Sequence, residues 1–206
     1  ISISQVTEMG TLYSLHEIKA LADFAHQQGM YLHLDGARIA NAAAALGVSF
    51  SEMVTQTGVD VLSFGGTKNG LMFGEAVVFL RTELAEGFEY NRKQGMQLAS
   101  KLRFITAQFL AYLENDLWKR NAKQANAMAR LLADELEQVN GIRLSRAAEA
   151  NGVFAIMPKE LIPKLQQEYF FHIWNDSQNE VRLMCSFDTT AKDVQGFVAA
   201  AKRLLK

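Results

Sequence analysis

Asp35 ends a short apolar stretch in His33-Leu34-Asp35-Gly36-Ala37-Arg38, and Lys68 follows another in Gly65-Gly66-Thr67-Lys68-Asn69-Gly70. A lysine among glycines has two common uses: it binds a phosphate as a point charge, or its amine forms a Schiff base with a carbonyl. The phosphate-loop pattern G-x-x-x-x-G-K-[ST] fails, because Asn69 stands where the magnesium-holding hydroxyl residue belongs. An isolated loop lysine is usually just solvated. What lifts Lys68 above that reading is its place at the end of an apolar strand, between glycines that let backbone approach a ligand.

An aspartate at the end of a buried strand needs a partner for its charge. A local partner is available if Asp35 caps the next helix with Arg38 as its ion pair. A protonated pyridine nitrogen is the other candidate. The pairing of Asp35 with Lys68 on successive strands favours the second, because pyridoxal phosphate needs a carboxylate to keep its ring nitrogen protonated and a lysine to hold its aldehyde.

The elements around these residues follow an α/β rhythm. Residues 1–6 alternate as a strand and 7–11 form a turn. Ser14 and Glu17 read as a capping box before an apolar helical face of Leu15, Ile18, Leu21, Ala22 and Ala25, which Gly29 ends. Met30–Leu34 predicts a strand, Ile39–Leu46 a helix stopped by Gly47, Phe50–Thr57 a short helix, and Val59–Phe64 and Glu75–Leu80 two more strands. Ligands of such sheets sit beyond the carboxyl ends of the strands.

From Thr82 to about Gln138 the pattern is helical, with an irregular polar patch at Glu89–Gly95 and helices at Leu98–Leu113 and Leu117–Leu136. The remainder mixes strands at Ile142–Leu144, Val153–Met157 and Val181–Ser186 with helices at Pro158–Gln167 and after Thr190. The fold class predicted is α/β: part of a mostly parallel large-domain sheet with flanking helices, plus a small C-terminal α+β domain. Residues 1–138 are assigned to a partial cofactor-binding domain with connecting helices, and 139–206 to the small domain.

Composition narrows the partners. With 206 residues, 49% of them hydrophobic, the chain can bury a substantial core. A net charge of -1 without a dense basic block gives no footprint for nucleic acid or an anionic membrane. The single cysteine, Cys185, cannot form an intramolecular disulfide framework or a cysteine-based metal site, which fits a reducing cytoplasm. The expected partners are small molecules and copies of the chain itself.

Four segments carry a family resemblance: Thr7-Glu8-Met9-Gly10-Thr11-Leu12-Tyr13, the Asp35 motif, the Lys68 motif extended from Ser63, and Gln97-Leu98-Ala99-Ser100-Lys101. The chain resembles the low-specificity L-threonine aldolases, pyridoxal phosphate enzymes of the aspartate aminotransferase fold type. The resemblance implies that Lys68 holds the cofactor aldehyde and Asp35 pairs with the ring nitrogen. It implies that Arg38, beside the cofactor, and Arg182, in the small domain, grip the substrate carboxylate. His33 shares a strand face with Asp35, so it either supports that carboxylate or is a satisfied core histidine. His16 and His26 are read as solvated on the first helix.

The implied activity is retro-aldol cleavage of threonine, allo-threonine and related β-hydroxy-α-amino acids to glycine and an aldehyde, in a homotetramer built as a dimer of dimers. Other pyridoxal phosphate enzymes of this fold, β-eliminating lyases or transaminases, share Asp35 and Lys68. A catalytically inactive binding or assembly module is a further alternative. The chain opens on Ile1-Ser2-Ile3-Ser4 without an initiator methionine, and relative to the family it begins partway through the large domain. A preceding N-terminal segment, joined or separate, is therefore expected to supply the phosphate cradle, the group stacked on the ring and the base for the hydroxyl.

Overall fold

Helix formation starts where the sequence supplies its own caps. Ser14 Oγ accepts the backbone N–H of Glu17 and the Glu17 carboxylate accepts that of Ser14, opening α1 (Leu15–Gln27), whose Ile18, Ala22 and Ala25 are buried. Thr190 and Asp193 repeat the device at α7 (Ala191–Leu204), the last helix. The computed structural model describes residues 1–205. They form two compact units: Ile1–Thr7 with Tyr13–Arg120, and Glu8–Leu12 with the chain from Asn121 onward.

The first unit is built on a four-stranded sheet in the order β1 (Ser2–Ser4), β2 (His33–Gly36), β3 (Val61–Gly65), β4 (Glu75–Phe79). The first three strands are parallel. β4 is antiparallel to β3, because the connection after Gly65 has no room for a crossover helix and folds straight back. Strand β2 begins at His33 rather than Met30, since the backbone N–H of Leu32 is diverted to a side chain, the Asp60 carboxylate at 2.7 Å. Alternation then places Leu34 and Gly36 on the buried face of β2 and His33 and Asp35 on the other.

α2 (Ile39–Leu46) ends at Gly47, whose φ of 72° is the left-handed turn expected of a glycine stop. A π-helical turn at Ser51–Thr55 precedes β3. Ile18, Leu32, Leu34, Ile39 and Met53 are fully buried, each contributing about 1.5–3 kcal/mol by leaving water.

The long helical region differs in detail from the sequence expectation. The polar patch at 89–95 is itself helical, α3 (Phe88–Gln94), and the ring of Phe88 is held edge-on to Phe79 at 4.9 Å. Irregular backbone falls instead at 95–102, where Met96 and Lys101 have positive φ. α4 accordingly starts at Arg103 and runs to Leu113. Left-handed Asn115 and Asp116 separate it from α5 (Leu117–Glu137).

The second unit carries an antiparallel sheet ordered β5 (Arg143–Leu144), β6 (Gly152–Ile156), β8 (Glu180–Met184), β7 (His172–Asn175). α6 (Leu161–Gln166) and α7 complete it. Leu132 and Leu136 of α5, Val153 and Ala155 of β6, Val181 and Leu183 of β8, and Val194 and Phe197 of α7 share one core. β7 had no sequence counterpart: it is an edge strand with His172 and Ile173 exposed, so it shows no alternation to read. Among the described residues, no helix is long and apolar enough to cross a membrane.

Candidate active site

At the carboxyl ends of β2 and β3 two turns touch. Asp35 Oδ1 accepts the backbone N–H of Ala37 at 2.9 Å, which folds the chain sharply after the strand. Gly65 lies directly against that turn: a Cβ there would stand 2.6 Å from Ala37 Cα and 2.7 Å from its carbonyl oxygen. No residue but glycine lets β3 deliver the Lys68 turn so close to the Asp35 turn.

Lys68 sits in a single 3-10 turn, Thr67–Asn69, and is exposed, whereas its neighbour Asn69 is buried. Asn69 Nδ2 donates to Tyr112 Oη at 2.7 Å and to the carbonyl of Trp118 at 2.9 Å. Burial pushes the Tyr112 phenol up to about 12, against the lowering effect of the Asn69 hydrogen bond. The loop is closed from the other side by Gly66 N–H to the Gly74 carbonyl, 3.1 Å, and Gly74 N–H to Thr67 Oγ1, 2.9 Å. Lys68 is thus a free amine on a turn fixed at both ends.

Asp35 is half-buried, and the hydrogen bond from Ala37 leaves acceptor capacity on the carboxylate. His33 shares its face, but its ring bridges strands: Nδ1 meets Ser2 Oγ at 2.8 Å and Nε2 meets Ser63 Oγ at 2.9 Å. Its hydrogen bonds tie β1, β2 and β3 together beneath the site instead of running to Asp35. Arg38, half-buried, occupies the N-cap position of α2, so the cap is not Asp35.

In the second unit Arg182 of β8 faces aromatic rings. Its guanidinium carbon lies 5.2 Å from the Trp174 ring centre and 5.9 Å from that of Phe154. Arg182 Nε is buried with no hydrogen-bond partner. Burial pulls the guanidinium below its ordinary value, and the charge of Glu8 opposes this. Arg146 stacks on Phe154 at 4.5 Å and pairs with Glu180 at 2.7 Å. The 8–12 segment closes on this unit, with Gly10 against the Phe154 ring and the Leu12 N–H on Glu149 Oε2 at 2.8 Å.

The family model for beta-eliminating lyases matches residues 1–159 of this chain, and so contains both strand-end motifs. The chain belongs to the beta-eliminating lyase family. It is 43% identical over 195 residues to the low-specificity L-threonine aldolase of Pseudomonas aeruginosa, which covers 95% of this chain and 56% of that protein. The enzyme of the same description from a Pseudomonas species is 39% identical over 205 residues, covering 100% of this chain and 59% of its own length. Among solved structures, that of the Leishmania major threonine aldolase superposes with a TM-score of 0.90 at 30% identity, over 100% of this chain and 60% of that one. The chain spans somewhat more than half the length of these relatives.

Two features of this beta-eliminating lyase family member escaped the sequence reading. Asn69 was noticed only as the residue that breaks the phosphate-loop pattern, yet it anchors the Lys68 turn to residues 43 and 49 positions away. His26 is not simply solvated: its Nε2 meets Asp60 Oδ2 at 2.8 Å, while Arg81 Nε donates to Asp60 Oδ1 at 2.7 Å. Asp60, 1% exposed, was the available signal, because a buried acid just before an apolar strand demands such partners.

Proposed function

We propose that this chain is part of a pyridoxal phosphate-dependent carbon–carbon lyase that cleaves threonine, allo-threonine and related β-hydroxy-α-amino acids to glycine and an aldehyde. The observation that carries the reading is the contact of the two strand-end turns, one bearing an exposed amine and the other a carboxylate with spare acceptor capacity. The match to threonine aldolases along nearly the whole chain supports this activity over β-elimination or transamination.

The residues fit the cofactor. Gly65 packs directly on the Ala37 backbone, which brings the amine-bearing and carboxylate-bearing turns together, and this donor set matches a pyridine bearing an aldehyde. Lys68 Nζ would hold the aldehyde carbon, and Asp35 would hold a proton at the ring nitrogen. When bound, the cofactor supplies an electron sink for the pair left on the α-carbon after an aldehyde departs. Arg38 and Arg182 would fix the substrate carboxylate, so that the bond to be cleaved is presented in one orientation. His33, by clamping the three parallel strands through Ser2 and Ser63, keeps Asp35 in register.

In the same reading, residues 1–138 form part of the cofactor-binding domain with its connecting helices, and 139–206 the small domain. The active form is a cytoplasmic homotetramer, a dimer of dimers, in which an N-terminal segment or a neighbouring subunit completes the phosphate cradle. Product analysis with L-threonine and added cofactor tests the activity. Glycine and acetaldehyde in equal amounts are expected. Ammonia with a keto acid would replace the reading by β-elimination, and a keto acid formed only with a keto-acid acceptor, without ammonia, would replace it by transamination.

A further inference from the structure

Arg182 and Arg146 lie against the same aromatic ring, Phe154, yet they are held differently. Arg146 is neutralised, with Nη2 donating to Glu180 at 2.7 Å. Arg182 keeps an Nε without a hydrogen-bond partner and is flanked by ring faces. The second ring comes from Trp174, which stands edge-on to Phe154 with centroids 5.5 Å apart and planes at 81°.

The backbone makes a special arrangement for that tryptophan. On β7, Ile173 pairs with Val181 and Asn175 pairs with Glu180, so two steps along β7 answer one step along β8. The residue between them is Trp174. A bulge of this kind re-aims a side chain at the cost of a ladder position, and such irregularities collect beside working sites.

We propose that Trp174 is a positioning residue: with Phe154, which it meets at nearly a right angle, it forms an aromatic corner that holds the Arg182 guanidinium, aiming the fork without consuming its N–H donors. An acidic partner would hold the arginine equally well but would occupy the donors that a carboxylate ligand needs. Ring faces attract the cation and leave its edge free. The role assigned to the bound carboxylate rests on the aldolase reading above; the clamp itself rests on the rings and the bulge.

Two measurements test this, one with the cofactor-loaded protein and one with the chain alone. In steady-state kinetics with L-threonine, Trp174→Leu is expected to raise KM roughly fivefold to tenfold with kcat little changed, and Trp174→Phe to restore most of the loss. Trp174→Leu placed on Arg182→Leu is expected to add nothing further. A kcat loss of the same size in both tryptophan variants, or a full additional loss in the double variant, would overturn the positioning role.

In NMR of the 206-residue chain, the Arg182 Nε–Hε signal is expected to carry a ring-current shift that Trp174→Leu abolishes and Trp174→Phe largely keeps. With acetate as the probe, half-saturation of that signal is expected at roughly fivefold higher concentration in Trp174→Leu. Equal acetate binding in wild type and Trp174→Leu would overturn the clamp. Protein that turns over no threonine while the NMR differences hold would sink the aldolase reading and leave the clamp standing.

Discussion

The first sheet holds an aspartate at each end, and the two are treated in opposite ways. Asp60, just before β3, is 1% exposed and accepts from Leu32 N–H, His26 and Arg81, all within 2.8 Å. Those bonds outweigh its desolvation and hold its carboxyl below the usual range. Asp35, just inside the other end of β2, is half-buried and accepts one backbone N–H from its own turn. A carboxylate with every site filled is a fastener; one with sites to spare is a receptor. The contrast separates the end of the sheet that secures the fold from the end that carries the proposed site.

The sharpest way to break this comparison is at Lys68. Lys68→Ala removes the only group on its turn able to condense with an aldehyde, and is expected to lower threonine cleavage by at least ~10³-fold with an unchanged thermal midpoint. Kinetics and calorimetry on the same preparation check both halves. Asp35→Asn is expected to cut kcat by roughly 10²-fold or more while leaving stability within about 1 kcal/mol, because its native bonding is sparse. A large stability loss there would erase the distinction between the two ends.

Asp60→Asn should do the reverse. It removes the charge-assisted bonds of a buried acceptor, for an expected loss of about 2–3 kcal/mol in urea unfolding. The sign of its pH dependence follows from the lowered value in the folded state. The contribution is complete above the ordinary aspartate value of 3.8 and drains away as pH falls through the lower folded value. Wild type should therefore lose its advantage over Asp60→Asn in strong acid, and a gap that widens below pH 3 would contradict the assignment.

Gly65→Ala probes the contact between the two strand-end turns. Its Cβ would meet backbone, which cannot step aside as a flexible side chain would, so a cost of about 1–3 kcal/mol and weakened cofactor retention are expected together. The smallest effect belongs to Ser14→Ala, about 1 kcal/mol from the α1 capping box, with no change in catalysis.

The same division explains what could be read in advance. Signals confined to a few residues were legible: both capping boxes begin where the sequence placed helix starts, Gly47 stops α2, and Asp35 and Lys68 stand at strand ends. Signals that need distant partners were not. His26 and Asp60 are 34 residues apart, and Asn69 and Tyr112 are 43 apart, so nothing local marks either bond. The edge strand β7 hid because its exposed residues do not alternate and its bulge at Trp174 breaks the period. The helix expected from Leu98 starts only at Arg103, because positive φ at Met96 and Lys101 interrupts the backbone, and Met96 and Leu98 remain exposed.

The central claim is that the amine at the Gly65–Gly70 turn is the one that takes the cofactor. Borohydride reduction of the protein incubated with pyridoxal phosphate, followed by peptide mapping, tests it directly. The pyridoxyl group is predicted on the peptide containing Lys68 and nowhere else in stoichiometric amount. Stoichiometric label on any other lysine, with Lys68 unmodified, would contradict the account.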